Sequence, residues 1–313
     1  MRFMHELDIV IITWNSVGDI GRCLRSILNS ATERTIRVTV VDNASGDGTA
    51  DSVQNSFPDV RLIRNAENRG FAAANNQALR SSPAPYWMLL NPDTEVTAGS
   101  IDALLTFMDE HPRAWVAGPV LVDADGTPQH PGRKFPSLSA LLWETLFLDR
   151  LFPTSPVFGA HRGMGRIAEY PERLDFVHGA ALVLRHATAE TVGLLDEGYF
   201  MYFEEVDWCQ RIRARGGECW VVPSSRIVHH GGIDLGHYDA NRLVYYHRSL
   251  LRYFAKHRSR GSQLLLRPLI VLRALIRIVV WLVAPLVRPD LHRAARSSLK
   301  GYAETLRQLL VGG

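Results

Sequence analysis

Short apolar runs alternate with helical patterns over the first 122 residues of the chain. The predicted strands are Leu7–Thr13, Ile36–Val41, Val60–Ile63, Tyr86–Leu90 and Trp115–Val122. The helices predicted between them run from Ile20 to Leu28, from about Ala50, from Phe71 to Leu79 and from Ile101 to Glu110. This alternation predicts βαβ units, and therefore an α/β fold with a mostly parallel sheet flanked by helices.

The pattern becomes less regular after residue 122. In chain order it predicts a hairpin turn at Asp123–Gly126, an irregular insertion over Pro131–Arg173 around one helix at Leu138–Leu148, a bent strand at Phe176–Arg185, a helix from Phe200 to about Arg215 and a short strand at Cys219–Val222. Gly179, inside the bent strand, predicts close approach of a ligand or of another segment.

The last part of the chain is helical and basic. Leu243–Phe254 predicts one helix, and Leu264–Val287 is apolar but interrupted by arginines at 267, 273 and 277. Its longest uncharged stretch, Ile278–Val287, is ten residues, which is shorter than a membrane-spanning helix. The pattern favours a helix in the membrane interface that is attracted to anionic lipids. Packing on the preceding α/β domain or on a second subunit, giving a homodimer, is the alternative.

Charge is distributed unevenly. The chain of 313 residues is 46% hydrophobic and 21% charged, as in folded globular proteins, with a net charge of +3. From Arg242 onward there are 14 basic and two acidic residues, whereas the first 241 residues carry 21 basic and 30 acidic ones. The basic end lacks the interleaved aromatic and basic residues of nucleic-acid binders, so no nucleic-acid partner is expected.

The three cysteines, Cys23, Cys209 and Cys219, are widely spaced and form no CxxC motif. This spacing argues against a disulfide framework or a structural zinc site and fits a reducing cytoplasm. Met1–Asp8 is charged and leads directly into a strand, so no signal peptide is expected.

Candidate chemistry begins where the strand Tyr86–Leu90 stops at Asn91-Pro92-Asp93. Pro92 cannot donate to a sheet ladder and disfavours helical backbone at Asn91, so the strand should end there. Ligands of parallel sheets bind beyond the carboxyl ends of the strands, where Asp93 would hold a divalent cation or a polar substrate. A turn in which Asp93 caps the next helix is the alternative. The chain lacks GxGxxG after its first strand and lacks GxxxxGK[ST], so the usual phosphate-binding loops are absent.

Two further clusters carry candidate functional groups. Glu204, Glu205 and Asp207 lie among aromatic residues at a predicted helix start, where a half-buried carboxylate can serve as a general base. The alternative is that these acids are there because they interact favourably with the dipole at a helix start. His229-His230 precedes a glycine pair, and neutral imidazole suits divalent metals, although a structural histidine is the alternative.

Taken together, these residues resemble the family 2 glycosyltransferases, which are inverting enzymes of the GT-A fold, and among them bacterial dTDP-rhamnosyl transferases. The resemblance covers Leu7 to Gly232. It is carried by Ile12-Thr13-Trp14-Asn15, by Val41-Asp42-Asn43 through Thr49, by Asn68-Arg69-Gly70-Phe71-Ala72 with Asn75-Asn76, by Leu90-Asn91-Pro92-Asp93 and by Leu195-Asp196-Glu197 through Arg211.

The resemblance implies a Rossmann-like sheet and roles for particular positions. The implied donor-binding residues are Thr13, Trp14, Asn15, Asp42, Asn43, Arg69, Gly70, Asn76, Asn91 and Asp93. Asp93, together with His229 or His230, would hold Mg2+ or Mn2+ against the diphosphate of the nucleotide-sugar donor. Glu205 occupies the position of the base, with Glu204 and Asp207 as alternatives. His178, Gly179 and Tyr202 are the candidate acceptor-binding residues.

Two positions depart from the family pattern. Asn91 replaces the first acid of the DxD-type motif, and Glu205 replaces an aspartate, which moves the carboxylate by about a bond length. We therefore expect an inverting glycosyltransferase, using dTDP-L-rhamnose and a lipid-linked or cell-surface glycan acceptor, at the inner face of the cell membrane. The same chemistry with another UDP-, GDP- or dTDP-sugar, and an inactive nucleotide-sugar-binding or scaffold protein, are the alternatives.

The expected domain organisation is a catalytic domain over residues 1–236 and a basic, amphipathic helical region over 237–313. The catalytic domain would divide into a nucleotide-sugar half, about 1–123, and an acceptor half, about 124–236.

Overall fold

The computed structural model describes residues 5–129, 132–159, 169–231 and 240–311. The chain divides into two compact units. The sheet unit lies within Met1–Phe135, Gly165–Phe200 and Glu204–Gly232, and the helical unit lies within Pro136–Met164, Met201–Phe203 and Ile233–Gly313. The helical unit thus includes 136–164 and 201–203, which the expected division at residue 236 assigned to the first domain. The finer division near residue 123 stays a prediction.

The strands are short and regular in the first half of the chain. In order they are β1 Leu7–Thr13, β2 Ile36–Asp42, β3 Arg61–Arg64, β4 Tyr86–Leu90, β5 Thr94–Val96, β6 Ala114–Val122, β7 Gly132–Arg133, β8 Glu172–Leu174, β9 Phe176–Val177, β10 Ala181–Arg185 and β11 Glu218–His229. The five strands predicted in the first 122 residues are all present. The sequence pattern missed β5, a three-residue strand.

The α-helices follow the predicted spacing in the sheet unit. They are α1 Ile20–Leu28, α2 Thr49–Ser56, α3 Phe71–Leu79, α4 Ser100–Glu110, α5 Leu138–Thr145, α6 Leu148–Leu151, α7 His186–Val192, α8 Glu204–Ala214, α9 Ala240–His257, α10 Arg260–Val287 and α11 His292–Val311, with a short 3-10 helix at Pro289–Leu291.

The main sheet has the strand order β3-β2-β1-β4-β10-β6-β11-β5, and β8 pairs with β11. The first four strands are parallel, β10 is antiparallel between β4 and β6, and β11 runs parallel to β6. Among the described strands of this sheet, only β5, β8 and β10 oppose the common direction. The predicted α/β class with a mostly parallel sheet is therefore confirmed, and the carboxyl ends of β1, β2, β4 and β11 lie at the same edge.

Hydrophobic burial on both faces fixes the central strands. Every residue of β1 is buried, and α1 covers one face of the sheet with an apolar stripe that includes Ile20, Leu24 and Ile27. Each fully buried aliphatic side chain of this kind contributes about 1.5–3 kcal/mol of transfer free energy. This core supports the loops that follow the strands.

Several predicted elements differ in their bounds. The helix expected from Phe200 begins at Glu204, because Tyr202 and Phe203 both have left-handed backbone with φ +69°. The bent strand Phe176–Arg185 is two strands, β9 and β10, separated by a turn at 178–180. The helix expected over Leu138–Leu148 is interrupted at Phe147, whose φ is +59°, which separates α5 from α6.

The short strand expected at Cys219–Val222 is the first part of the twelve-residue β11. The pairing of β11 with β6 shifts register between Val222 and Arg226, around Pro223. Proline cannot donate to the ladder, and an irregularity there lets the strand continue. The continuation carries His229 to the edge of the sheet where β5 begins.

In the helical unit, α10 directs Arg273 and Arg277 inward and leaves many of its apolar residues exposed. Arg273 pairs with Glu144 of α5 at 3.0 Å, and Arg277 donates to the Glu144 carbonyl at 2.8 Å and lies over the Phe147 ring at 3.9 Å. The exposed apolar residues of α10 are Leu264, Leu265, Leu272, Leu275, Val279, Val280, Leu282, Val283, Leu286 and Val287.

The length of α10 was underestimated from the sequence. It is 28 residues long, about 42 Å. Its most apolar 18-residue window has a mean hydropathy of 2.3 and is 11% buried, so by length and composition alone the helix is able to cross a membrane. Counting only the ten uncharged residues missed this because two of the interrupting arginines, Arg273 and Arg277, have partners within the unit.

Candidate functional site

The first part of the candidate site lies where the parallel strands β1 and β2 end together. Thr13 and Asp42 are register partners, and the Thr13 hydroxyl donates to Asp42 Oδ1 at 2.9 Å. The Ser45 hydroxyl donates to the same carboxylate oxygen at 2.6 Å, and the Ser45 amide donates to Oδ2 at 3.0 Å. Asp42 is thus a fixed, buried acceptor that shapes the loop after β2.

The loop after β1 is tied to this loop through Asn15. The backbone N–H of Asn15 donates to the Ser45 hydroxyl, and the side-chain Oδ1 of Asn15 accepts from the backbone N–H of Gly46, both at 2.9 Å. Asn15 has φ +53°, a left-handed conformation that asparagine tolerates better than most residues. The neighbouring Trp14 is 51% exposed, so an open indole lies beside a fixed hydrogen-bonding loop. This combination suits a planar base with a ribose attached.

The loop before α3 is built mainly by structural contacts. Asn43 Nδ2 donates to the Gly70 carbonyl at 3.2 Å, and Gly70 has φ +80° with its Cα against Phe200, where a Cβ would lie 2.5 Å from the Phe200 carbonyl oxygen. Buried Asn76 exchanges hydrogen bonds with the Leu195 backbone at 2.8 and 3.1 Å. These three residues therefore position the loop, whereas the side chain of Arg69 is exposed.

Pairing of β5 with β11 brings Asp93 next to His229. Thr94 is the register partner of His229, and the His230 amide donates to the Asp93 carbonyl at 2.8 Å. His229 Nε2 lies 3.5 Å from Asp93 Oδ1, a buried oxygen with no hydrogen-bond partner among the described residues. Burial lowers the pKa of His229 despite the nearby Asp93 charge, so the imidazole is neutral at pH 7.

Gly231 keeps this pair accessible. A Cβ at Gly231 would lie 2.0 Å from Asp93 Oδ2 and 3.0 Å from His229 Nε2. His230 is directed away, because successive side chains of a strand point to opposite faces. Its Nε2 lies 2.5 Å from Glu95 Oε1, and Glu95 also pairs with Arg22 at 3.0 Å. Asp93 and His229 are therefore the two groups that face each other.

A carboxylate oxygen and a neutral imidazole nitrogen are both electron-pair donors, and such a pair fits a divalent cation. Within the described ranges, no group of three or more His, Cys, Asp or Glu side chains is arranged to hold a metal ion. A cation held by Asp93 and His229 would thus take its other ligands from water and from the substrate. This matches Mg2+ sites that combine one or two protein ligands with phosphate oxygens.

The three acids of α8 have different surroundings. Asp207 is fully buried and pairs with Arg211 at 2.8 Å, while Arg211 also donates to the Leu194 carbonyl at 2.8 Å. Glu204 is buried, and burial together with the Glu205 charge raises its pKa. Glu205 as a whole is half-buried, its Oε2 atom is buried with no hydrogen-bond partner among the described residues, and this burial raises its pKa as well. Asp207 has a structural role here, which leaves Glu205 as the acid best placed to reach a substrate.

The turn at 178–180 connects Glu205 with the Asp93–His229 pair. A Cβ at Gly179 would lie 3.3 Å from Glu205 Cδ, so the glycine allows the carboxyl group to pack against the turn. The His178 ring centroid is 6.0 Å from that of His229, and the backbone N–H of Asn91 donates to the Ala180 carbonyl at 2.8 Å. Asn91, His178 and Gly179 thus join the base candidate to the candidate metal ligands.

Tyr202 belongs to the helical unit, where its ring contacts that of Tyr246 at 6.2 Å between centroids. Its left-handed backbone, unusual for a bulky residue, directly precedes the helix that carries Glu205.

Gln129 was missed by the sequence analysis. Its Oε1 lies 2.8 Å from His229 Nδ1, and it reaches this position on the return arm of the hairpin after β6. The hairpin turn itself was predicted, but no local motif indicates which strand the returning segment contacts.

Comparison with known proteins agrees with this architecture. The sequence profile described as Glycosyl transferase family 2 matches residues 8–170. An N-acetylglucosaminyl-diphospho-decaprenol L-rhamnosyltransferase from Mycobacterium tuberculosis is 32% identical over 94% of this chain and 97% of its own. The dTDP-rhamnosyl transferase RfbF from Shigella flexneri is 24% identical over 70% of this chain and 67% of its own.

Solved structures support the fold. The mannosyltransferase PcManGT from Pyrobaculum calidifontis, in complex with GDP-Man and Mn2+, aligns with a TM-score of 0.58 at 15% identity over 97% of this chain and 88% of its own. GalNAc-T7 with UDP, GalNAc and Mn2+ aligns with the same TM-score and identity over 79% of this chain, which spans 47% of the GalNAc-T7 chain. The fold is that of the GT-A glycosyltransferases. The profile match and the 32% identity over nearly the full length of the mycobacterial enzyme show that this chain belongs to glycosyl transferase family 2.

Proposed function

We propose that this enzyme is an inverting, metal-assisted rhamnosyltransferase that uses dTDP-L-rhamnose and glycosylates a hydroxyl of a lipid-linked or cell-surface glycan. Two similar proteins are named as an L-rhamnosyltransferase of a diphospho-decaprenol substrate and as a dTDP-rhamnosyl transferase. The observation that carries the proposal is the unpartnered Asp93 oxygen 3.5 Å from His229 Nε2, joined to Glu205 by the turn at 178–180.

The donor nucleotide would bind beyond the carboxyl ends of β1 and β2. The exposed indole of Trp14 offers a stacking surface, and the fixed loops of Thr13, Asn15 and Asp42 offer hydrogen bonds to the base and ribose. Arg69, with its exposed guanidinium, is suited to an anionic part of the donor. Asn43, Gly70 and Asn76 act indirectly, by holding the loop that presents Arg69.

Asp93 and His229 would hold Mg2+ or Mn2+ beside the donor diphosphate. When bound, the cation would neutralise the negative charge that develops on the departing nucleoside diphosphate. Glu205 would accept the proton of the acceptor hydroxyl, which makes that oxygen a competent nucleophile. The acceptor oxygen then forms its bond to the anomeric carbon as the bond to the diphosphate breaks on the opposite face, which inverts the configuration. His178 and Tyr202 stay candidates for acceptor contacts.

We propose peripheral association with the cytoplasmic face of the membrane through α10. Arg273 and Arg277 are partnered within the unit, whereas ten apolar residues of α10 are exposed, which is the arrangement expected next to lipid rather than water. The region after residue 241 has 14 basic and only two acidic residues, and this positive charge complements anionic lipids. The same charge disfavours contact between two copies of this face, so lipid is a better occupant than a second subunit.

Titration calorimetry of dTDP, UDP and GDP against the full chain, with and without Mn2+, tests the donor and the metal. We expect Mn2+-dependent preference for dTDP, and loss of the Mn2+ dependence in Asp93→Asn and in Gly231→Ala. The matched control is Gly18→Ala, since a Cβ at Gly18 meets no atom within 4 Å.

Equal, weak and Mn2+-independent binding of the three nucleotides would contradict the donor assignment and support a non-catalytic binding protein. Mn2+-dependent preference for UDP or GDP would keep the chemistry and change the sugar donor.

A further inference from the structure

Gln129 joins three groups of the sheet unit through one side-chain amide. Its Nε2 lies 2.7 Å from Asp123 Oδ1 and 2.7 Å from the His229 carbonyl oxygen, while its Oε1 lies 2.8 Å from His229 Nδ1. The segment that carries Gln129 is fixed by backbone hydrogen bonds. The backbone N–H of Gln129 donates to the Leu121 carbonyl at 2.8 Å, and the backbone N–H of Asp123 donates to the Thr127 carbonyl across the turn. Gln129 is therefore held against β11 at the position of His229.

These contacts determine which way the amide faces. A carboxylate and a carbonyl oxygen are both acceptors, so the NH2 group, with its two hydrogens, must face Asp123 and the His229 backbone. The opposite orientation would place an amide oxygen against two other oxygens. The Gln129 oxygen consequently faces His229 Nδ1, and that nitrogen must carry the hydrogen for a bond to form.

The tautomer of His229 follows from this hydrogen bond. A neutral imidazole with its hydrogen on Nδ1 has its lone pair on Nε2. His229 Nε2 is the atom that lies 3.5 Å from Asp93 Oδ1, whose own lone pairs have no hydrogen-bond donor within the described chain. With the other tautomer, Nε2–H would point toward the carboxylate and occupy the space between the two atoms.

We propose that Gln129 is a positioning residue that fixes the Nδ1–H tautomer of His229, so that the Nε2 lone pair is presented to a divalent cation beside Asp93. The hairpin after β6 would then be a working part of the cation site rather than a connection on the surface. The inference rests on the proposed function for the identity of the bound species, whereas the tautomer itself is a property of the metal-free protein.

The test uses the near-isosteric variant Gln129→Met, which keeps the side-chain shape and removes both polar groups. In the full-length, metal-free protein labelled with 15N-histidine, we expect His229 of the unsubstituted protein to show a protonated Nδ1 and an unprotonated Nε2. The His229 signals are identified by their loss in His229→Asn. In Gln129→Met this preference should be lost.

The second readout is Mn2+ affinity in the presence of dTDP, measured from the electron paramagnetic resonance of free Mn2+. Removing an outer hydrogen-bond partner of a metal-binding histidine weakens metal affinity by about 10–100-fold, which is the loss expected for Gln129→Met. Gln54→Met removes a comparable amide, bonded to Arg64, elsewhere in the sheet unit and should match the unsubstituted protein in both readouts.

An unchanged His229 tautomer in Gln129→Met would overturn the proposal, and so would a changed tautomer with unchanged Mn2+ affinity. Failure of the proposed function looks different. In that case the unsubstituted protein itself would bind no Mn2+, although its His229 still changed tautomer on removal of Gln129.

Discussion

At the scale of single residues, the start of α8 shows that neighbouring acids of similar chemistry take different roles. Asp207 pairs with Arg211, Glu204 is buried, and Glu205 is a half-buried residue whose carboxyl group packs against Gly179. The sequence supplied the three candidates but could not rank them by environment. The backbone reversal at Tyr202 and Phe203 sets the helix start, and with it which side of the helix each acid faces.

We predict that Glu205→Gln lowers kcat by about 10²–10⁴-fold or more while dTDP binding is unchanged, because the amide cannot accept the acceptor proton. Burial raises the pKa of Glu205 above 4.5, and only the deprotonated form acts as a base. Consequently kcat/KM should rise with pH through a pKa higher than that of an ordinary glutamate. Rhamnose transfer measured across a pH series, with calorimetry of dTDP on the same variant, checks both statements.

The companion variant is Glu204→Gln. If Glu204→Gln is inactive and Glu205→Gln turns over normally, the base is Glu204 and our assignment is wrong.

At the scale of elements, short-range patterns account for the helices and strands but not for their pairing. β5 has three residues and no distinctive pattern, yet its antiparallel pairing with β11 puts Asp93 beside His229. The turn between β9 and β10 likewise becomes part of the candidate site only through its packing against α8, where Gly179 contacts Glu205. Helix α8 must be held firmly for this contact to persist.

We predict that Asp207→Asn lowers the free energy of unfolding by about 3 kcal/mol, because it leaves the largely buried Arg211 without its counter-charge. Arg211 also holds the Leu194 carbonyl, so α8 and the segment after α7 should loosen together. Urea denaturation of the full chain gives the measurement. Glu304→Gln, which removes the exposed ion pair with Arg307 on α11, should cause no measurable loss of stability. Equal stability of Asp207→Asn and the unsubstituted protein would show that the pair is not a structural anchor.

At the scale of the whole molecule, charge and apolar surface are divided between the two units. Acidic residues predominate before residue 242, and basic residues predominate after it. The helical unit also presents the exposed apolar side of α10, which α9, α11 and α5 leave uncovered. This division is consistent with one unit for sugar transfer and one for contact with lipid.

We predict that Leu282→Glu combined with Leu286→Glu reduces sedimentation with phosphatidylglycerol vesicles by about tenfold or more, because two charges replace apolar contacts at residues that are 59% and 80% exposed. Leu28→Glu, at a leucine of α1 that is 64% exposed, is the matched control and should bind vesicles normally. Vesicle binding that survives the double substitution, or a change of oligomeric state instead, would favour a second subunit over lipid as the occupant of this face.

The sequence by itself determined the α/β class, the succession of elements in the sheet unit, the family, and the main candidate residues, because apolar periodicity and turn chemistry are local. Asn91-Pro92 ended β4 as expected, since the restriction that proline imposes needs no tertiary contact. The tertiary structure decided which candidates meet: that His229 rather than His230 faces Asp93, that Asn76 and Asp207 serve the scaffold, and that Gln129 joins the site. The contacts of His229, Asn76 and Gln129 depend on strand register and on segments about 100 residues apart, and no local pattern carries that information. The Asp207–Arg211 pair is local, at i,i+4, but its burial is set by the tertiary structure.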